Sequence, residues 1–214
     1  MSALNLFAHQ RAGSDSHRRS ARARGTAAAL CASIMKGIPE VLTTHRLQLR
    51  RPRITDAEDV FAYASDIDVT HFMDWPNHKT MSTVVDWLSA CTSLWESGAE
   101  FTWLITPRYE ERVIGAISLR VVEYKADFGY VLNRQFWGRG LGTEAASAIV
   151  DLAASVDGVY RVWATCDIEN VASARVLEKV GLVREGILRR WARRPNISSV
   201  PRDALVYGKV IRDA

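Results

Sequence analysis

The sequence predicts an α/β fold, a single domain on a mixed, mostly antiparallel sheet flanked by helices. Three observations predict it. Segments with strand alternation and segments with helical spacing succeed one another through the patterned part of the chain. Two neighbouring strand segments, 101–105 and 113–121, are joined by a short polar turn, as antiparallel hairpins are. After them come strand, glycine-rich turn, helix, strand and helix, the order of a crossover unit.

With 214 residues the chain has the length of one ordinary domain, enough to bury a substantial core. Its 48% hydrophobic and 24% charged residues are those of a water-soluble globular protein. No apolar run approaches the ~18 residues of a membrane span, so no membrane partner is expected. Cys31, Cys91 and Cys166 are odd in number and scattered. That argues against a disulfide framework or a zinc ribbon and suits a reducing, cytoplasmic location. The net charge of +4 is concentrated at one end, where Arg11, Arg18, Arg19, Arg22, Arg24 and Lys36 face only Asp15. The rest is close to neutral, which gives the domain no nucleic-acid footprint.

Residues 1–38 are rich in Arg, Ser and Ala and show no sustained periodicity. A targeting peptide and a basic arm are two readings; a disordered basic extension is the third and is preferred, because patterned sequence begins only after Pro39. Residues 47–50 then alternate as a half-buried strand. Thr55 and Glu58 have the spacing of a capping box, opening a helix that turns Val60, Phe61 and Ala64 inward. A loop over 66–79 follows. Residues 80–97 place Val84, Trp87, Leu88, Cys91 and Leu94 on one helical face, ended by Gly98. Beyond the hairpin, 127–132 is a strand, and 141–153 puts Leu141, Ala145, Ala148, Ile149, Leu152 and Ala153 at helical spacing. Residues 160–165 read as a strand, 170–180 as a short helix ended by Gly181, and 182–190 and 204–210 as two closing strands.

The turn between 132 and 141 carries the chemistry. Glycines between a strand and a helix N-terminus leave free amides and the positive end of the helix dipole aimed at one point, which makes an anion and usually a phosphate site. Gly138 and Gly140 lack the third glycine of a dinucleotide fingerprint, since Thr143 stands there. The Gly208-Lys209 pair is followed by Val210, so no Walker A loop is present. What remains is Gln135-Phe136-Trp137-Gly138-Arg139-Gly140, continuing to Gly142.

That hexapeptide resembles the acyl-CoA pyrophosphate motif Q/R-x-x-G-x-G/A of the GCN5-related N-acetyltransferases (GNAT). About thirty residues on, Asn170-Val171-Ala172-Ser173, continuing through Glu178-Lys179-Val180-Gly181-Leu182, is similar to that superfamily's second motif. Gly129-Tyr130 and Trp137-Gly138 look like its RimJ/RimL branch. The resemblance covers about residues 43–212 and implies a GNAT domain there. It implies acetyl-CoA as cosubstrate in a gap between strands 127–132 and 160–165. Main-chain groups near Tyr130, Val131 and Leu132 would hold the pantetheine arm; Gln135, Gly138, Arg139, Gly140, Leu141, Gly142 and Thr143 would surround the pyrophosphate. Asn170 would bond the arm, cap its own helix, or both.

By the same resemblance Glu185 matches the base and Ser173 the acid that protonates the departing thiol; an exposed, Arg-paired carboxylate and a helix-surface hydroxyl are their plain structural readings. No tyrosine lies between Asn170 and Gly181, where many members place their acid. Thioester aminolysis can rest largely on positioning and carbonyl polarisation. Trp75 and Trp191, in loops 72–75 and 191–201, would wall the acceptor groove. Arg189, Arg190, Arg193 and Arg194 would favour an acidic acceptor or form a solvated face. His71 and His78 match no metal spacing, and no metal is expected. The expected activity is transfer of acetyl from acetyl-CoA to a primary amine, on a protein N-terminus or a small molecule, by a monomer or homodimer. A non-catalytic acyl-CoA-binding module is the alternative.

Overall fold

A computed structural model describes residues 37–212. The extension read over 1–38 therefore lies outside the described residues except for its end, where Ile38 is buried against the sheet. The strands are β1 (Val41–Thr43), β2 (Leu47–Arg50), β3 (Phe101–Pro107), β4 (Gly115–Val122), β5 (Lys125–Leu132), β6 (Arg161–Asp167), β7 (Val183–Arg194) and β8 (Ser198–Val210). The helices are α1 (Ala57–Ala64), α2 (Ile67–Thr70), α3 (Met81–Ser97), α4 (Leu141–Ser155) and α5 (Val171–Lys179). The strands form one sheet in the order β1-β2-β3-β4-β5-β6-β8-β7. Every neighbouring pair is antiparallel except β5–β6.

Strand alternation divides the core into two layers. Trp103, Ile105, Ile117 and Phe128 pack with α4, whereas Leu104, Ala116 and Val131 pack with α1 and α3. With both faces covered, the central strands read as nearly continuous apolar runs. Gly98 ends α3 in the left-handed region, at φ 69°, as its sequence position predicts.

The parallel pair positions the site. β5 and β6 are in register only at Lys125↔Arg161, Ala126↔Val162 and Asp127↔Trp163. β5 stays paired with β4 as far as Leu132, and β6 with β8 as far as Asp167. Their facing edges therefore diverge beyond Asp127 and Trp163, opening a gap between the two strands in the middle of the sheet.

Three sequence expectations are corrected. The Thr55–Glu58 capping box does not form: residues Ile54–Asp56 make a 3-10 turn and Asp56 stands at the N-cap of α1. The cause lies in tertiary structure, since buried Arg50 takes the Asp56 carboxylate through two bonds of 2.9 and 2.7 Å. Residues 191–201 are mostly not a loop, because β7 runs to Arg194 and β8 begins at Ser198. Register shifts at Arg184/Gly186, Leu188/Ala192 and Ala192/Arg194, with Arg190 at φ 50°, break the two-residue period that would have revealed the strand. Trp75 is 3% exposed and packs in the α1–α3 core instead of walling a groove.

Candidate active site

The glycine turn is built to hold its amides outward. A 3-10 turn (Arg134–Phe136) follows β5, with Asn133 accepting from the Gln135 amide at 3.0 Å. The Trp137 indole N–H donates to the Leu132 carbonyl at 2.7 Å, pinning the turn to the strand end. Gly138 and Gly140 have φ of 72° and 75°, the left-handed region a side chain resists. Helix α4 takes up its first amide at Glu144, bonded to the Gly140 carbonyl at 3.0 Å. The amides from Gly138 to Thr143 have no partner among the described residues and sit at the positive end of α4.

A brace not apparent in the sequence locks this turn. Glu144 accepts from the Thr44 hydroxyl at 2.6 Å, the Arg46 amide at 2.7 Å and Arg46 Nε at 2.7 Å. Arg46 Nη1 donates to the Arg139 carbonyl at 2.9 Å. The β1–β2 turn thus clamps both the loop and the first turn of α4. Its residues lie about a hundred positions from Glu144, so only the fold could reveal the contact.

Two cavities open along the diverging strands. The larger, about 690 Å³, lies at the wide end. Tyr130, Val131, Leu132, Gly138, Gly140, Leu141, Gly142, Thr143, Asn170 and Ser173 all line it. Arg175 and Lys179, exposed on α5, add positive charge at its rim. Gln135 and Arg139 are not in its wall: the Gln135 carbonyl accepts from Arg112 at 3.3 Å, and the Arg139 guanidinium lies over the Phe136 ring. The smaller cavity, about 90 Å³, lies at the crotch where β5 and β6 part. The cavities share Phe72, Met73, Tyr130, Asn170 and Ser173 as a common wall. Asn170 accepts from the Ser173 amide at 3.0 Å, so it does cap α5. Burial pushes the Tyr130 phenol up to about 12, leaving it a proton donor at neutral pH beside Ser173.

Glu185 is not brought to this place. It occupies the bulge between Arg184 and Gly186, its carboxylate is 40% exposed, and both oxygens are bonded by Arg161. It lines neither cavity. The Arg161 hydrogen bond holds its carboxyl below the usual range, the wrong direction for a base near neutral pH. The bulge is the physical reason: one extra residue re-aims the side chain across Gly208 toward β6. Replacing Glu185 by Gln should change kcat by no more than about twofold, measured as thiol release under saturating substrates.

Two carboxylates line the small cavity, Asp127 of β5 and Asp74 on the loop after α2. Burial pushes Asp74 up to about 6, opposed by Arg194 and Arg120 and assisted by Glu100. Arg120 is committed to Asp127 across β4–β5, with Nε at 3.1 Å from Oδ2. A carboxylate that titrates near 6 inside a cleft has the character of a general base. The sequence offered no signal for it, because Asp74 gains its neighbours from β4, β5 and β7.

A cleft with unpartnered main-chain amides and a helix N-terminus at one end and a buried carboxylate at the other suits an extended anionic ligand. The acetyltransferase (GNAT) domain profile matches residues 46–183. The uncharacterized N-acetyltransferase YoaA of Bacillus subtilis (strain 168) is 30% identical over 173 residues, 79% of this chain and 96% of that protein. In three dimensions the chain is similar to RimL, the ribosomal L7/L12 alpha-N-protein acetyltransferase, in complex with coenzyme A. The TM-score is 0.70 at 19% identity, covering 80% of this chain and 98% of that one. It is also similar to the microcin C7 self-immunity acetyltransferase MccE in complex with acetyl-CoA and AMP. There the TM-score is 0.72 at 20% identity, over 81% and 97% of the two chains. The chain belongs to the GNAT acetyltransferase family. It is an acetyl-CoA-dependent N-acetyltransferase.

Proposed function

We propose that this enzyme acetylates a primary amine, of a protein N-terminus or a small molecule, by direct attack on the acetyl-CoA thioester. The observation that carries the reading is the shared wall. A long cleft suited to a phosphate-bearing arm and a small polar cavity meet at Tyr130, Asn170 and Ser173. The unpaired edge of β5 at Tyr130, Val131 and Leu132 supplies main-chain partners for the pantetheine amides. The amides of Gly138 to Thr143 receive the pyrophosphate, and Arg175 and Lys179 add charge at the rim. Acetyl-CoA supplies the acyl group; the residues position it, exclude water and move protons.

In this reading Asp74 takes the proton of the attacking amine, the task for which Glu185 is misplaced. The new C–N bond forms as the C–S bond breaks, and the Ser173 and Tyr130 hydroxyls donate to the departing sulfur. An α-amine of pKa ~8 needs less help than a lysine amine near ~10.4, and a thiolate of ~8.5 leaves with modest protonation. The test is thiol release from acetyl-CoA with and without an amine panel. Binding of acetyl-CoA without amine-dependent release would leave only a binding module.

The turn carries its own prediction. A side chain at Gly140 meets the left-handed φ, at about 1–2 kcal/mol, and its Cβ would stand 3.5 Å from Arg46 Nη2. Gly140→Asp places negative charge at the amides and competes with Glu144 for Arg46. Acetyl-CoA affinity, measured by calorimetry on the folded variant, should fall about tenfold or more. Unchanged affinity would show that the pyrophosphate lies elsewhere.

A further inference from the structure

Arg194 is the group at this site that acetyl transfer does not use. It is the last residue of β7, only 6% exposed, and lines the small cavity. Among the described residues its Nε has no hydrogen-bond partner, and its Nη1 donates to the Arg193 carbonyl at 3.5 Å. The wall's strand carboxylates are already engaged. Arg120 holds Asp127, and Arg202 holds the neighbouring Asp167 through Nε at 2.7 Å. Asp74 lines the same cavity and bears on Arg194 electrostatically, but the two form no ion pair within 4 Å. A buried guanidinium without a close carboxylate is costly, and an anionic ligand in the cavity would offset that cost.

We propose that the acceptor is a small α-amino acid, its carboxylate received by Arg194 and its amino group by Asp74. The proposal rests on the acetyl-transfer reading and names the acceptor for it. The two charged groups form a dipolar pair matching a zwitterion, and the amino end then faces the Tyr130–Ser173 wall shared with the cofactor cleft. Size agrees. At about 10–15 Å³ for each water, a cavity of about 90 Å³ holds roughly as many heavy atoms as glycine, alanine or serine carries. A polyamine brings no anion to Arg194, and a peptide N-terminus brings an amide carbonyl where the carboxylate would sit.

The test is thiol release with wild-type full chain, comparing glycine, alanine and serine with serinamide, ethanolamine, spermidine and a serine-initiated peptide. The amino acids should exceed the amide and the decarboxylated amine in kcat/KM by about a hundredfold, the worth of a charge-assisted hydrogen-bonded contact. Arg194→Met should bring serine down to the ethanolamine level and leave acetyl-CoA affinity unchanged; at pH 9, where Asp74 is ionised with or without Arg194, ethanolamine should slow far less than serine, and Tm should hold or rise. Arg194→Lys should restore part of the carboxylate preference. Equal rates for ethanolamine and serine, equal slowing of all acceptors by Arg194→Met, or a lowered Tm would overturn the proposal. Turnover of spermidine or the peptide alone would overturn it while leaving acetyl transfer standing. No thiol release with any amine would remove both.

Discussion

Replacing Asp74 by asparagine is expected to lower kcat about a hundred- to ten-thousandfold, the usual contribution of a positioned base. The wild-type kcat should rise with pH through about 6, as Asp74 loses its proton, and then level off. The asparagine variant should lack that limb. The groups that face Asp74 set its position on the pH scale: Arg194 from β7 and Arg120 from β4 favour its charge, and Glu100 opposes it. Asp127 stands in the same cavity but is neutralised by Arg120. A limb near 6 that persists in Asp74→Asn would assign the titration to another group.

The same substitution should act on stability in the opposite sense. A carboxylate raised by burial binds its proton more tightly in the folded state than in the unfolded one. Its contribution therefore turns against folding as pH rises from its ordinary value toward about 6, and stays so above. Asp74→Asn should melt higher than wild type at pH 8, and the difference should close below about pH 4. Loss of activity with gain of stability separates a functional carboxylate from a structural one.

Asp56→Ala is expected to destabilise the fold by about 3–5 kcal/mol, a large part of the ~5–15 kcal/mol typical of a domain. Arg50 and Asp56 are 4% and 8% exposed and joined by two hydrogen bonds. Asp56 also accepts from the Arg53 amide at 2.7 Å. Removing the carboxylate strands a buried guanidinium whose Nε already lacks a partner. Urea unfolding would measure the loss, and the double variant Arg50→Met with Asp56→Leu should recover most of it. A loss below about 1 kcal/mol, the scale of an exposed pair, would mean that water reaches the single variant's cavity.

What the sequence could disclose follows the range of the interactions involved. Helix α3 with its stop at Gly98, the hairpin of β3 and β4, and helix α4 were legible because periodicity and caps act over a few residues. Val171, Ala174, Leu177 and Val180 recur at helical spacing, yet Val171 is 55% exposed at the start of α5. Strand β1, three residues long, is too short to show alternation. The end of β7 stayed hidden because its bulges break the two-residue period.

The conformation of the glycine turn from Gly138 to Gly142 is legible in the sequence alone. Its amides are main-chain groups, and a strand, two left-handed glycines and a helix start suffice to aim them. The acceptor end was decided only by tertiary structure. Arg189, Arg190, Arg193 and Arg194 read alike in the chain, yet Arg189 pairs with Asp203 at the surface while Arg194 is buried in the cavity. Which arginine turns inward depends on the register β7 keeps with β8. Which carboxylate is buried at the cavity depends on elements far apart in sequence: Glu185 is paired with Arg161 at a bulge, whereas Asp74 lies buried in the cavity wall under the influence of Arg194 and Arg120.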